Sequence, residues 1–462
     1  GMALDFRLLS GQAVDGNFAS VGSTADARRR LATSLRVPPE RVKIIAAKGC
    51  LRDEDPLDAD EGGTFQVCIL ADPLEAKVAR LAGADDFQAL SGRELVDLEG
   101  KRLAALPERL SELGAAEALM LGSNRLRSLP EGLWRLAGLR RLLLADNRLG
   151  ELPRACGQLV GLAELDLRRN KLKRLPESLC CLPRLQTLWL GDNLLTELPS
   201  GVGQLAALQA LELDGNQLTA LPESFGQLKE LQTLAISGNR LASLPGPFGG
   251  LARLQTLRMN GSRLFNLPDG FVGLTALEVL ELNGAPLTAL PAGLGQLAAL
   301  RTLALNSGCL VSLPPDFGRL PRLDTLELNR NQLTALPESF GSLSALTALE
   351  LNGNRLAELP ADFGRLAALQ RCGLNANRLT ELPASFGDLT ALRDLCINEN
   401  DLTCLPDSFG QLGALRRLEI NWNRLEALPD SFLKLKGLRK LELQGNKVAL
   451  PRCVSPSREG LG

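Results

Sequence analysis

The chain has 462 residues, with 52 Lys+Arg against 53 Asp+Glu, so neither sign of charge dominates and there is no electrostatic footprint for nucleic acid or an anionic membrane. No run of about 18 apolar residues occurs, so no membrane-spanning helix is expected. Histidine and tyrosine are absent, which removes imidazole as catalytic base or metal ligand, and the 10 cysteines lack C-x-x-C spacing. No metal, cofactor or catalytic residue is therefore expected.

In chain order, Leu4 to Gln12 reads as a strand and turn, Thr24 to Leu35 as a helix, Val37 to Asp53 as a double proline followed by strand segments, and Thr64 to Leu70 as a closing strand. The double proline after the helix, the short strand ending in Lys48-Gly49 and the position of the last strand resemble a ubiquitin-like β-grasp domain over residues 2–71. No Gly-Gly follows Leu70, so conjugation to a substrate is not expected. The resemblance implies that ubiquitin's apolar recognition patch corresponds to Leu9, Ile45 and Cys68, with Lys43 and Lys48 nearby. The same residues also read as ordinary β-grasp surface.

Residues 72–92 read as a helical linker that caps the next domain. Asp72 precedes Pro73 at the first helical position, and Glu75 is placed to reach back as in a capping box. Leu74, Val78 and Leu81 share a face suited to covering an open apolar end.

From Asn124 an asparagine or a substitute recurs every 23 residues to Asn446 without insertion or deletion, and counting back reaches Lys101. The array spans residues 93–452 with sixteen strand positions, and 453–462 form a tail. Its unit is Leu346-Thr-Ala-Leu-Glu-Leu-Asn-Gly-Asn-Arg-Leu-Ala-Glu-Leu-Pro-Ala-Asp-Phe-Gly-Arg-Leu366. Leucines alternating with polar residues before the asparagine give a short strand with leucines inward, and stacked units pair these strands in parallel. Asparagine suits the turn because its amide both donates and accepts. Proline (Pro130, Pro222, Pro337, Pro429) ends the strand, and a column from Phe225 to Phe432 is expected in the core. Glycines such as Gly226, Gly341 and Gly410 recur with the coil and are not a phosphate loop.

This pattern resembles the leucine-rich repeat superfamily, which implies an α/β fold: a β-grasp followed by a horseshoe solenoid with a parallel concave sheet of about sixteen strands. The LPESFG-type unit is similar to intracellular repeats of plant Ras-group-related proteins and of an animal scaffold linking Ras to a phosphatase. That similarity implies signalling scaffolding. Cysteines scattered rather than clustered at the array ends, and no apolar signal after Met2, lead to the expectation of a cytoplasmic protein.

Function is sought on outward strand positions. Two residues before the repeat asparagine stand Asn260, Asn283, Asn306, Asn329, Asn352, Asn375, Asn398 and Asn421 in consecutive units. Asparagine disfavours strands, so the column needs a cause: a hydrogen-bonded amide ladder, recent repeat duplication, or an array of donors and acceptors for a polar partner. Two residues earlier, Met120, Leu143 and Trp189 are displayed near Arg141, Arg168 and Arg169; Trp and Arg are favoured interface anchors. Trp422, with Arg371, Arg417 and Lys440 beside Glu419 and Glu442, forms a second candidate contact, although ion pairing accounts for most of its charges. Cys396 lacks a base and reads as a surface thiol. Ser262, Ala285 and Gly308 interrupt the repeat asparagine in adjacent units, so a local change of twist or curvature is expected there.

The leading expectation is a non-enzymatic adaptor that binds a protein on the concave face and a second partner through the amino-terminal domain. The alternatives are a ubiquitin-pathway adaptor that docks through that domain and selects cargo with the repeats, and a structural spacer or assembly subunit.

Overall fold

The computed structural model describes residues 5–8, 13–14, 23–35, 37, 39–46, 49–52, 64–69 and 72–448. At the amino terminus, β1 (Asp5–Leu8), α1 (Thr24–Leu35), β2 (Val42–Ala46), β3 (Gly49–Cys50) and β4 (Thr64–Ile69) build a small layered unit. Its sheet has the order β1-β4-β2-β3; β1 runs parallel to β4, whereas β2 is antiparallel to both β4 and β3. Ala27 and Leu31, one turn apart on α1, pack with Val42, Ile44, Phe65 and Val67, all buried, in a core separate from that of the repeats.

The helix α2 (Pro73–Leu81) opens with Asp72, whose carboxylate accepts from Leu74 N–H at 2.8 Å. Glu75 does not reach back to complete a capping box. Its buried carboxylate turns to Arg109 of the first coil, 3.2 Å away, and lies 3.9 Å from Arg41 of the preceding unit. Val78 and Ala79 are fully buried, and Leu74 and Leu81 pack beside them against the leucines of the array. Such cover is needed because the last coil of an open solenoid has no neighbour for its apolar atoms.

The array contributes sixteen strands of three residues, from β5 (Leu95–Asp97) to β20 (Lys440–Glu442), paired in strict sequence order. Every pair is in parallel register at an offset of one repeat, as in Leu211 beside Leu234. The central strand residue, leucine in all but Val96 and Cys372, is buried in every coil except the last, and short 3-10 turns form the opposite wall. There Phe225, Phe248 and Phe271 stack with centroids 6.1–6.2 Å apart, and a second stack runs from Phe317 to Phe432. Each fully buried ring contributes roughly 1.5–3 kcal/mol relative to an exposed one. The glycine that follows most of these rings has a close-packing cause: a Cβ on Gly226 would lie 2.2 Å from the Pro247 carbonyl of the next coil.

Every repeat also requires a left-handed residue immediately before its asparagine position. Glycine fills that place at Gly215, Gly238, Gly261, Gly284 and Gly353, but Ser123, Asp146, Arg169, Arg330, Glu399 and Trp422 hold φ of 52–56° there. A non-glycine residue in this region costs roughly 1–2 kcal/mol. The strain is offset because the same residue's N–H is anchored, as Arg330 N–H is to Asn352 O at 2.7 Å.

Candidate interaction surface

The repeat asparagine explains why the turn is rigid. Asn170 accepts from Leu149 N–H of the previous coil at 3.0 Å and donates to Leu144 O and Leu167 O at 2.9 and 3.1 Å, so one buried amide satisfies backbone groups on two coils. The pattern lapses at Ser262, whose buried hydroxyl has no partner among the described residues. At Ala285 the backbone supplies the replacement: Ala285 N–H donates to Leu282 O at 3.2 Å and Leu287 N–H to Ala285 O at 2.8 Å. Register is kept through β-strands 256–258, 279–281, 302–304 and 325–327, with N–H···O distances of 2.8 Å at Met259, Leu282 and Leu305. Strand register and ladder distances are therefore unchanged across the lapse. Phe265 and Val311 are exposed in these coils, in a column that is exposed throughout the array, a feature missed in the sequence because that column carries threonine in most neighbouring repeats.

The outward asparagine column forms a second ladder on the concave face. Asn260 Oδ1 accepts from Asn283 N–H at 2.8 Å, Asn283 Oδ1 from Asn306 N–H at 2.9 Å, and Asn306 Oδ1 from Asn329 N–H at 2.8 Å. The relay continues through Asn352, Asn375, Asn398 and Asn421 to Gln444 N–H. It begins with Asp214, which accepts from Ser237 N–H, and Ser237 Oγ, which accepts from Asn260 N–H at 3.2 Å. The column thus serves a backbone donor that the parallel ladder leaves over at each coil.

The amide nitrogens of this column diverge in use. Asn260, Asn306 and Asn421 donate to Glu281, Glu327 and Glu442 of the next coil at 2.8–3.1 Å, and Asn352 donates to Glu350 at 2.7 Å. Asn283, Asn329, Asn375 and Asn398, all half-buried, make no hydrogen bond through Nδ2 among the described residues. A shallow pocket of about 520 Å³ centres on Asn329 and Arg330, walled by Asn306, Ser307, Asn352 and Gly353.

In the amino-terminal half, Met120 and Leu143 are half-buried and adjacent in register, with Arg141 exposed on the same strand as Leu143. Asp166 lies between Leu143 and Trp189 in the same column. Arg168, expected as an anchor, is held in place: it hydrogen-bonds Asp166 at 2.7 Å, lies 3.7 Å from Glu212, and sits 4.9 Å above the half-buried Trp189 ring. The hydrogen bond to Asp166 raises the Arg168 pKa, whereas burial raises those of Glu212 and Asp214. This acidic group was not singled out in the sequence; its signal was Asp166, Glu212 and Asp214 at outward positions flanking Trp189.

At the other end, Trp422 is 58 % exposed on its left-handed turn, and its ring covers Gly445, where a Cβ would lie 2.6 Å from Cε3. Arg417 and Lys440 both bond Glu419, at 2.6 and 2.7 Å. Burial opposes ionisation of Glu419, but hydrogen bonds from Lys440 and Arg417 prevail and hold its pKa down to about 2. The neighbouring Cys396 thiol is pushed up to about 11 by burial and by Glu419, so it stays protonated at neutral pH and lacks nucleophile character. For the ubiquitin-like patch, Ile45 and Cys68 fall on β2 and β4, in register with Gln66 and Lys43. Their side chains and Leu9 lie outside the described residues, as do positions 449–462. Among the described residues no helix is long and apolar enough to cross a membrane.

Known proteins extend this picture. Models described as leucine-rich repeat region match residues 130–216 and 204–307, and models described as leucine rich repeat match 298–356 and 367–425. A leucine-rich repeat protein of Leptospira interrogans is 36 % identical, with a TM-score of 0.71, over 78 % of this chain and 92 % of that one. PEPR1 in the PEPR1–AtPEP1 complex is 29 % identical, TM-score 0.65, over 74 % of this chain and 50 % of that one. A chain of the Drosophila Toll–Spatzle complex is 26 % identical, TM-score 0.62, over 72 % and 48 %. No curated protein matches. Repeat models over most of the array, and a relative matched along nearly its whole length on the same coil, mean that this chain belongs to the leucine-rich repeat family.

Proposed function

We propose that the chain is a non-enzymatic scaffold that binds a protein partner on its concave face, in intracellular signalling. Solenoids of this kind offer extended concave binding surfaces, and two similar structures, PEPR1–AtPEP1 and Toll–Spatzle, are complexes by name. The observation that carries the reading is the set of amide donors at Asn283, Asn329, Asn375 and Asn398, unbonded among the described residues on a half-buried surface while each residue's own Oδ1 already accepts a backbone N–H of the next coil. Such donors are satisfied by a partner's carbonyls or carboxylates.

The test exploits a substitution the fold already contains. Serine at this column keeps the backbone relay, as Ser237 does, while removing the amide. We expect Asn283→Ser/Asn329→Ser/Asn375→Ser/Asn398→Ser to fold normally and to lose partners captured by the wild type from native lysate. Trp189→Ala is expected to lose them too. Recovery of the wild-type set by both variants would sink the concave-face reading.

A second reading has its own support. A first strand parallel to the last, an antiparallel third neighbour and a helix across one face are the arrangement expected of a ubiquitin-like β-grasp. On this reading the amino-terminal unit docks on a ubiquitin receptor or the proteasome while the repeats select cargo. Loss of that docking on Ile45→Ala supports it, and no binding by the full chain to either sinks it.

A further inference from the structure

Along the edge where the chain descends into each strand, the residue just before the strand forms its own column. The two other cations of this column each pair with an acid on the preceding coil: Arg140 lies 3.5 Å from Glu117, and Arg301 lies 3.6 Å from Glu278. From Gln186 through Gln209 and Gln232 to Gln255 it is neutral. In the last coils the rule reverses. Arg393, Arg416 and Arg439 stand in consecutive coils, with Arg416 N–H on Arg393 O and Arg439 N–H on Arg416 O, both at 2.8 Å. All three side chains are exposed, and none makes an ion pair or side-chain hydrogen bond among the described residues.

Their surroundings do not neutralise them. Arg371 on the adjacent concave strand is likewise exposed and has no ion pair among the described residues, and Lys436, three residues before Arg439, is exposed. Asp394, Glu419 and Glu442, the acidic groups of these coils nearest the strip in sequence, form no ion pair with any of the three. Arg417 and Lys440, one residue along in the chain, are instead consumed by Glu419. Coils are about 4.8 Å apart, so three like charges are stacked at a distance where direct repulsion destabilises a sheet. Intramolecular pairing is used elsewhere in the column and not here.

We propose that Arg393, Arg416 and Arg439 form a docking strip for an acidic polypeptide segment of a protein partner, on a lateral edge distinct from the concave face. Each guanidinium presents a planar fork that takes a carboxylate through two parallel N–H···O bonds. An array of three coils is only about 10 Å from first to last, matched to a few carboxylates on an extended peptide. It is short for a nucleic-acid backbone, where affinity is built from many phosphates, and the balanced charge of the whole chain adds no further basic surface.

The probe is a fluorescent peptide carrying this chain's own acidic run, Asp53-Glu-Asp-Pro-Leu-Asp-Ala-Asp-Glu61, with polyglutamate as a second probe, titrated with the full chain at low ionic strength. Arg393→Glu/Arg416→Glu/Arg439→Glu is expected to weaken binding roughly tenfold to a hundredfold, in line with three solvent-facing charge contacts. Arg125→Glu/Arg148→Glu/Arg240→Glu, an equal charge change at exposed sites elsewhere, is expected to leave it unchanged, and circular dichroism checks that both variants fold. The proposal is overturned by equal loss in both triples, by full binding in the first, by no binding of either probe to the wild type, or by tighter binding of a single-stranded oligothymidylate than of the peptide.

Discussion

The two halves of the concave face solve one problem with different chemistry. Around Trp189 the outward polar groups are charged and bind one another: Asp166 holds Arg168, and Arg168 covers the indole and approaches Glu212. From Asn260 onward the column two residues before the repeat asparagine is made of neutral amides, and their carbonyl oxygens are bound to the backbone of the next coil. The first half spends side chains on side chains and keeps its apolar atoms partly in view. In the second, the sheet itself orders the side chains, and amide donors remain. A surface is preorganised in both cases, but only the second repeats at a fixed interval.

The largest expected effect separates the two asparagine columns. Asn354→Ala removes an acceptor for Leu333 N–H at 3.1 Å and a donor to Leu328 O and Leu351 O, both at 2.9 Å, all buried. Leaving such groups unpaired costs about 1–3 kcal/mol each, so roughly 3 kcal/mol or more is expected. Asn352→Ala orphans chiefly Asn375 N–H on a partly wet surface and should cost about 1 kcal/mol. Urea denaturation measures the difference, and amide exchange at Leu333 against Asn375 localises it. Equal losses would mean that the inward and outward ladders do not differ in kind.

Next is the ion-pair cluster at the carboxyl end. The folded pKa of Glu419 is depressed to about 2, below its ordinary value of 4.5, so its ionised form stabilises the fold above the ordinary value. That contribution is lost as pH falls from about 4.5 towards about 2. Glu419→Gln should therefore destabilise by about 1–2 kcal/mol at neutral pH, after discounting for the half-exposed Arg417 and Lys440, with the gap to wild type closing over that window. Burial raises the Glu212 pKa, which gives the opposite sign: ionisation in the fold is penalised, and stability falls as pH rises from its unfolded to its folded pKa. Glu212→Gln should therefore flatten a descending limb where Glu419→Gln flattens an ascending one.

The lapse between the two halves offers a repair. Ser262→Asn would supply an acceptor for Leu241 N–H, as Asn239 does for Leu218 N–H at 3.0 Å, and would replace a hydroxyl that has no partner among the described residues. A gain of about 1 kcal/mol in denaturation is expected. A loss would show that the turn at 262 has closed around the smaller side chain.

Much of this was legible in the sequence because a fixed period turns local signals into spatial ones. Once Leu211 is known to lie beside Leu234, each residue of a repeat becomes a column, and the strand number, the Phe stack and the outward asparagines follow. Interactions that depend on the neighbouring coil's atoms were not legible. Glu75 resembles the second half of a capping box, yet two arginines far along the chain compete for it and prevail. Arg168 reads as a free anchor because nothing in the sequence shows that its fork fits Asp166 and spans to Glu212. The leftover N–H that the asparagine column serves is a property of the parallel ladder, visible only when the sheet's own hydrogen bonds are counted.

The smallest expected effect is the most discriminating for the amide half. If the outward column exists to supply an acceptor, any small acceptor should do, and the chain already holds serine there at Ser237, whose Oγ takes Asn260 N–H at 3.2 Å. Asn375 is the cleanest place to ask, since the strand residues beside it are Gly373 and, one coil on, Cys396 rather than a carboxylate. Asn375→Ser should change stability by less than about 0.5 kcal/mol and keep the Asn398 amide protected from exchange, whereas Asn375→Ala should lose about 1 kcal/mol and that protection. Matching losses in Ser and Ala would mean that the whole amide, not its oxygen alone, holds the coil. The unbonded nitrogen at Asn375 would then belong to the fold rather than to a partner.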